Sequence, residues 1–158
     1  MSHLPTLGPR GEGWVVIQVV LLGAIALAAV LGPAWDDGLW AATAVLGAVL
    51  LVAGLTLAIR GTLDLRHALT PLPYPRRDAT LVESGVYRLV RHPIYGGLIV
   101  AAFGWGLVTA SPVALALAIT LLVFFELKSR REEVWLVERY PDYPAYRART
   151  RRLIPWIG

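Results

Sequence analysis

Four runs of uncharged, mostly apolar residues constrain this chain more than any other feature: 14–31, 39–59, 94–110 and 112–125. The first two, 18 and 21 residues long, are long enough to cross a bilayer as helices. Backbone polar groups inside hydrocarbon must be bonded within their own segment, so such runs become helices. Only 16% of the chain is charged, against about 25% in an ordinary soluble domain. The expected fold is therefore an all-α polytopic membrane protein, one membrane domain over residues 1–158. Its parts are an N-terminal tail and two-helix hairpin (1–59), a polar segment (60–91), and a second hairpin with a C-terminal cap (92–158).

The last two runs, 17 and 14 residues, are at or under the spanning minimum and are split by Ser111 and Pro112. They read as a shorter helical hairpin, tilted or not fully crossing, which returns to its starting side either way. From Glu126 the helical pattern continues into a charged extension, followed by a Tyr/Pro/Arg-rich tail. Residues 1–13 are Gly/Pro-rich and polar, without the basic and apolar segments of a signal peptide, so none is expected to be removed.

Charge distribution predicts the orientation. The two short turns carry only Asp36 and Asp37, whereas all 15 Lys and Arg residues lie before residue 14, within 60–91, or after residue 125. An even number of crossings with both termini cytoplasmic places every one of them inside. The expected location is the cytoplasmic membrane of a prokaryote. The runs contain no charged residue, which weighs against a pump, channel or secondary transporter.

The chemistry must then sit at one membrane face. At residues 91–97, Arg-His-Pro-Ile-Tyr-Gly-Gly turns a polar approach into an apolar helix. Pro93 suits the first helical position. Arg91 and His92 then lie beside the unpaired N–H groups of a helix start, a setting for a carboxylate or phosphate. The plainer reading makes them interfacial anchors. On the helix leaving residue 125, Glu126, Arg130 and Glu133 share one side and Arg131 pairs with Trp135 on another. Either this is a salt-bridged helix end near the headgroups, or Glu132 or Glu133 turns inward toward a ligand amine or ribose. With no cysteine, thiol catalysis and disulfides are excluded. His3, His67 and His92 have no partners at metal-ligand spacing, so no metal site is expected. No Gly-rich strand-to-helix loop points to a Rossmann cofactor site.

The ordered series of residues 82–96 (Val-Glu-Ser-Gly-Val-Tyr-Arg-Leu-Val-Arg-His-Pro-Ile-Tyr-Gly), a helical hairpin, Glu132-Glu133-x-x-Leu136, Tyr143-x-x-Tyr146 and Arg152-Leu153-Ile154-Pro155 resembles one family. It is that of the integral-membrane S-adenosylmethionine-dependent methyltransferases, the isoprenylcysteine carboxyl methyltransferases and their phospholipid N-methyltransferase-like relatives. The likeness covers roughly residues 80–156. Two departures lie in the tail: Tyr140-Pro141 replaces a frequent Phe-Gly with the spacing to Tyr143 one shorter, and Thr150-Arg151-Arg152 stands where Val-Pro-Arg is common.

The resemblance implies a cofactor, S-adenosylmethionine, held at the cytoplasmic end of the second hairpin and enclosed by the tail. It implies cofactor contacts from Tyr87, Arg91, His92, Pro93, Tyr95, Gly96, Glu132, Glu133, Tyr143 and Tyr146, with Arg91, Glu132, Glu133 and Arg152 as the catalytic set. It also implies methyl transfer to a membrane lipid or hydrophobic small molecule, with no nucleic-acid partner. In-line displacement at a sulfonium needs alignment and exclusion of water rather than a metal or covalent nucleophile. The alternative is a non-catalytic membrane scaffold that binds anionic lipid through its basic face.

Overall fold

The uncharged runs become helices in the computed structural model, which describes residues 4–35, 40–75 and 79–154. These form five α-helices: α1 (Glu12–Leu31), α2 (Trp40–Leu65), α3 (Pro93–Val108), α4 (Pro112–Arg139) and α5 (Tyr143–Arg149). No β-strand occurs among the described residues. The turn carrying Asp36 and Asp37, the cluster Arg76, Arg77 and Asp78, residues 1–3 with His3, and Pro155 lie outside them.

Three helices are long and apolar enough to cross a membrane: α1, α2 and α4. At 26 and 28 residues, α2 and α4 reach about 39 and 42 Å, beyond the roughly 30 Å hydrocarbon core. The 16 residues of α3 give about 24 Å, short of that core. The second hairpin is thus unequal. Its first arm is short, as the sequence predicts, whereas its second runs unbroken from the apolar run through the charged extension. α2 also outlasts its uncharged run, taking in Arg60 and Asp64. Gly61 does not break it there, because its bare face packs on Pro93 and Ile94.

α3 lies between α2 and α4, and α1 covers the other side of α4. The α2–α3 contact depends on small residues: a Cβ on Gly54 would come within 2.5 Å of the Gly97 carbonyl oxygen. Such close backbone approach is what small residues allow between spans. Trp14, Ile25, Ile99, Ala102, Ala118, Leu121, Phe124 and Phe125 form the core. Val45, Val49, Val52 and Ile59 of α2 stay exposed, an apolar outer face suited to lipid.

The two ends differ in character. At one, Ser111 caps α4 by accepting from the Ala114 N–H (3.2 Å) and donates to the Ala28 carbonyl (3.2 Å). At the other gather the start of α1, the polar segment, the start of α3, the charged half of α4, and α5. The polar segment is ordered by its contacts: Tyr74 packs edge-on to Trp135, Pro73 lies against Gly11, and Tyr140 donates to the Ala79 carbonyl (2.9 Å). Gly85, at φ +59°, lets the Asp64 carboxylate accept from the Val86 N–H (2.8 Å); a Cβ would sit 2.0 Å from that oxygen.

Candidate active site

Pro93 occupies the first position of α3, and the N–H groups of the two residues before it are unclaimed by the helix. The tail claims them. Arg91 N–H donates to the Arg151 carbonyl (2.8 Å), His92 N–H to that of Arg152 (2.9 Å), and Arg151 N–H to that of Leu89 (3.0 Å). This isolated parallel bridge straps the tail beside the start of α3. The strap passes over Gly96, where a Cβ would lie 1.9 Å from the Leu153 carbonyl oxygen. The space beside Gly96 therefore receives backbone.

Behind the strap lies a buried charge cluster. Arg91, 9% exposed, donates from Nε to Glu133 Oε1 (2.9 Å) and from Nη1 to the carbonyls of Arg147 (3.1 Å) and Thr150. Glu133, 3% exposed, also has Arg152 Nε at 3.3 Å, Arg147 Nε at 3.5 Å and His92 Nε2 at 3.4 Å. Arg152 reaches on to Glu126, which accepts from Arg130 as well (2.9 Å). Arg131 covers the Trp135 ring at 4.3 Å, as the helical spacing predicts.

In front of this cluster is a cavity of about 270 Å³. Tyr87, Arg91, His92, Tyr95, Glu132, Tyr143 and Tyr146 all line it, together with Gln18, Lys128 and apolar residues of the polar segment such as Leu69, Leu72 and Pro73. Pro93, Gly96, Glu133 and Arg152 do not line it. Of the paired acids, Glu132 is the one that faces the cavity, held by a 2.8 Å hydrogen bond from the Tyr95 hydroxyl. The Tyr95 ring stacks on His92 (5.4 Å) and on Phe125 (4.5 Å).

The tyrosines divide by their hydroxyls. Tyr146 donates to the Tyr87 carbonyl (2.8 Å), and Tyr87 to the Gly61 carbonyl (3.2 Å). Tyr143, 1% exposed, has a buried hydroxyl without a hydrogen-bond partner among the described residues. Burial pushes the Tyr143, Tyr146 and Tyr87 phenols well above their ordinary range, so all three are neutral hydrogen-bonding groups. The shorter tail spacing thus still buries Tyr143 against Tyr146, ring centroids 5.7 Å apart. Sequence reasoning missed Lys128 and Gln18. The available signals were that Lys128 is the chain's single lysine, four residues before Glu132, and that Gln18 is the sole polar side chain of its run.

A family model described as phospholipid methyltransferase matches residues 42–143, from the first turn of α2 to the start of α5. The chain belongs to the phospholipid methyltransferase family. Within reach of this family member are proteins of differing description. It is 29% identical over 146 residues to the cobalt-zinc-cadmium resistance protein CzcN of Cupriavidus metallidurans, covering 92% of this chain and 63% of that protein. It is 35% identical over 83 residues to the protein-S-isoprenylcysteine O-methyltransferase of Schizosaccharomyces pombe, covering 51% and 35%. With methanethiol S-methyltransferase 1 of Bradyrhizobium diazoefficiens it shares 38% over 72 residues, covering 45% and 25%. This phospholipid methyltransferase family chain thus spans less than two thirds of the length of each of these relatives.

Proposed function

We propose that this chain transfers a methyl group from S-adenosylmethionine to a hydrophobic or membrane-borne acceptor at the cytoplasmic face. The observation that carries this reading is the cavity itself. It lies where the polar cap meets the apolar helices, with a carboxylate, an ammonium, a guanidinium, an imidazole and a buried phenol unpartnered among the described residues, in a lining otherwise mostly apolar and aromatic. A buried polar atom without a partner costs stability unless a ligand satisfies it. The Tyr143 hydroxyl is such an atom, and a cofactor bearing an amine, a ribose and a carboxylate offers partners for it.

When bound, S-adenosylmethionine supplies an electrophilic methyl on a sulfonium. Glu132 suits the amine or ribose hydroxyls, since a carboxylate accepts charge-assisted hydrogen bonds. Tyr87, His92, Tyr95 and Tyr146 supply the aromatic wall. Arg91 at the wall, with Glu133, Arg152, Pro93 and Gly96 behind it, holds α3, α4 and the tail in register. Residues 69–73, 75 and 79–82, which line the cavity, help to exclude water, which an in-line displacement requires. The Lys and Arg asymmetry supports a cytoplasmic location for this end, where such a cofactor is found.

The test is direct binding of S-adenosylmethionine and S-adenosylhomocysteine to detergent-purified protein, followed by a methyl-transfer screen against lipid extracts. Both ligands should raise the thermal midpoint, because a ligand that binds only the folded state stabilises it. A millimolar titration with neither a thermal shift nor a calorimetric signal would refute cofactor use.

A further inference from the structure

Lys128 is an ammonium buried at the cavity wall, with Glu132 near it on α4 but no carboxylate in ion-pair contact among the described residues. It is 2% exposed, its Nζ donates to Gln18 Oε1, and it lies 4.8 Å from the Tyr95 ring centroid and 5.9 Å from that of Phe125. Among the described residues it forms no ion pair; Glu132, one turn along α4, has its Oε2 occupied by the Tyr95 hydroxyl. An ammonium has three donors, and here a single carboxamide oxygen takes one. The π faces favour a cation but do not satisfy its N–H groups.

Holding a charge in this setting is expensive. Methionine or leucine would fill the same space between α1 and α4. Lys128 and Gln18 both line the cavity, so the missing partner is accessible from there. Its charge class follows from the neighbours. The Arg91 guanidinium, which also lines the cavity, is already paired with Glu133; Lys128 then supplies one positive charge, and Glu132 on the same wall would repel a second negative one, so a monoanion fits better than a phosphate dianion.

We propose that Lys128, oriented by Gln18, is the carboxylate-binding group of this cavity. Beside Glu132 it completes a plus–minus pair spaced i, i+4 on one helix face, which suits an amino-acid head group with its ammonium on Glu132 and carboxylate on Lys128. The inference rests on the proposed function for its setting. The carboxylate has two possible sources, the amino-acid end of the cofactor or an acid group on the lipophilic acceptor.

Calorimetry on the full chain in zwitterionic nanodiscs separates them, using S-adenosylhomocysteine, 5′-methylthioadenosine (which lacks the amino-acid end), laurate and dodecanamide as probes. Lys128→Met should weaken a carboxylate-bearing probe by roughly 10- to 100-fold, the range of a lost charged hydrogen bond, and Lys128→Arg should retain most of the binding. A loss on S-adenosylhomocysteine that spares 5′-methylthioadenosine assigns the cofactor's carboxylate. A loss confined to laurate assigns the acceptor's. If the parent binds neither adenosyl compound, the cofactor reading fails while the laurate arm still tests Lys128. Should Lys128→Met not fold, the parent alone decides, because it must bind S-adenosylhomocysteine better than 5′-methylthioadenosine or laurate better than dodecanamide. Parent-like binding of both carboxylates by a folded Lys128→Met, or no such preference in the parent, overturns the proposal.

Discussion

Arg91 Nε donates to Glu133 Oε1 at 2.9 Å, with both side chains less than a tenth exposed. The first charged residue of the motif leading into α3 is thus tied to the second of the paired acids on α4. The same guanidinium reaches two carbonyls of the tail, so one side chain joins three parts of the chain.

Breaking that junction should cost stability before it costs chemistry. Glu133→Gln leaves Arg91 buried beside Arg147 and Arg152 without their shared anion, and should destabilise by about 3 kcal/mol. Arg91→Lys should recover only part of the loss of Arg91→Ala, since a lysine cannot reproduce the guanidinium fork. Denaturation in detergent checks both. A Glu133→Gln variant as stable as the parent would remove this network from the fold's support.

Glu132→Gln should behave in the opposite way. Its carboxylate lies at the cavity and is held by Tyr95 alone among the hydrogen bonds described. Stability should stay close to that of the parent, while affinity for S-adenosylhomocysteine falls by roughly 10- to 100-fold, corresponding to about 1.5–3 kcal/mol for a charged hydrogen bond. Parent-like affinity in isothermal titration would take Glu132 out of the site.

Two tyrosines of the tail make a matched pair. Tyr143→Phe removes a buried hydroxyl that has no partner among the described residues, so stability should be unchanged or slightly higher and ligand affinity lower. Tyr146→Phe orphans the Tyr87 carbonyl and should cost about 1–3 kcal/mol. Thermal melts with and without S-adenosylhomocysteine separate the two effects. Equal destabilisation by both changes would contradict the assignment of the Tyr143 hydroxyl to a ligand.

The absence of cysteine makes topology directly measurable. Single cysteines at Ser84 and Ala145, both exposed, should react with a membrane-impermeant maleimide from the cytoplasmic side, and one at Asp37 from the opposite side. Labelling of positions 84 and 145 from outside would invert the orientation.

The helices were legible because a long uncharged run has few alternatives in a bilayer, and Pro93 marked the start of α3 for a reason local to its ring. The extra turns of α2 were not, since Arg60 and Asp64 look like the start of a loop until Gly61 is seen against Pro93. Glu132 and Glu133 are about 100° apart on a helix, so only the rotation of α4 against α3 decides which meets the cavity. Lys128 gave little warning because its burial depends on Gln18, far away in sequence on α1. The tail's bridge to residues 89–92 has no strand pattern behind it. It arises where the approach to α3 and the tail, distant in sequence, meet.

That bridge also divides assembly from insertion. Every apolar helix precedes residues 143–153 in the chain, yet Tyr143 and Tyr146 complete the cavity wall and the strap beside Arg91 holds the tail in place. A chain truncated after residue 142 would keep every apolar helix and leave the head of α3 open to water. Insertion and competence to bind are therefore separable in this protein, divided by eleven residues.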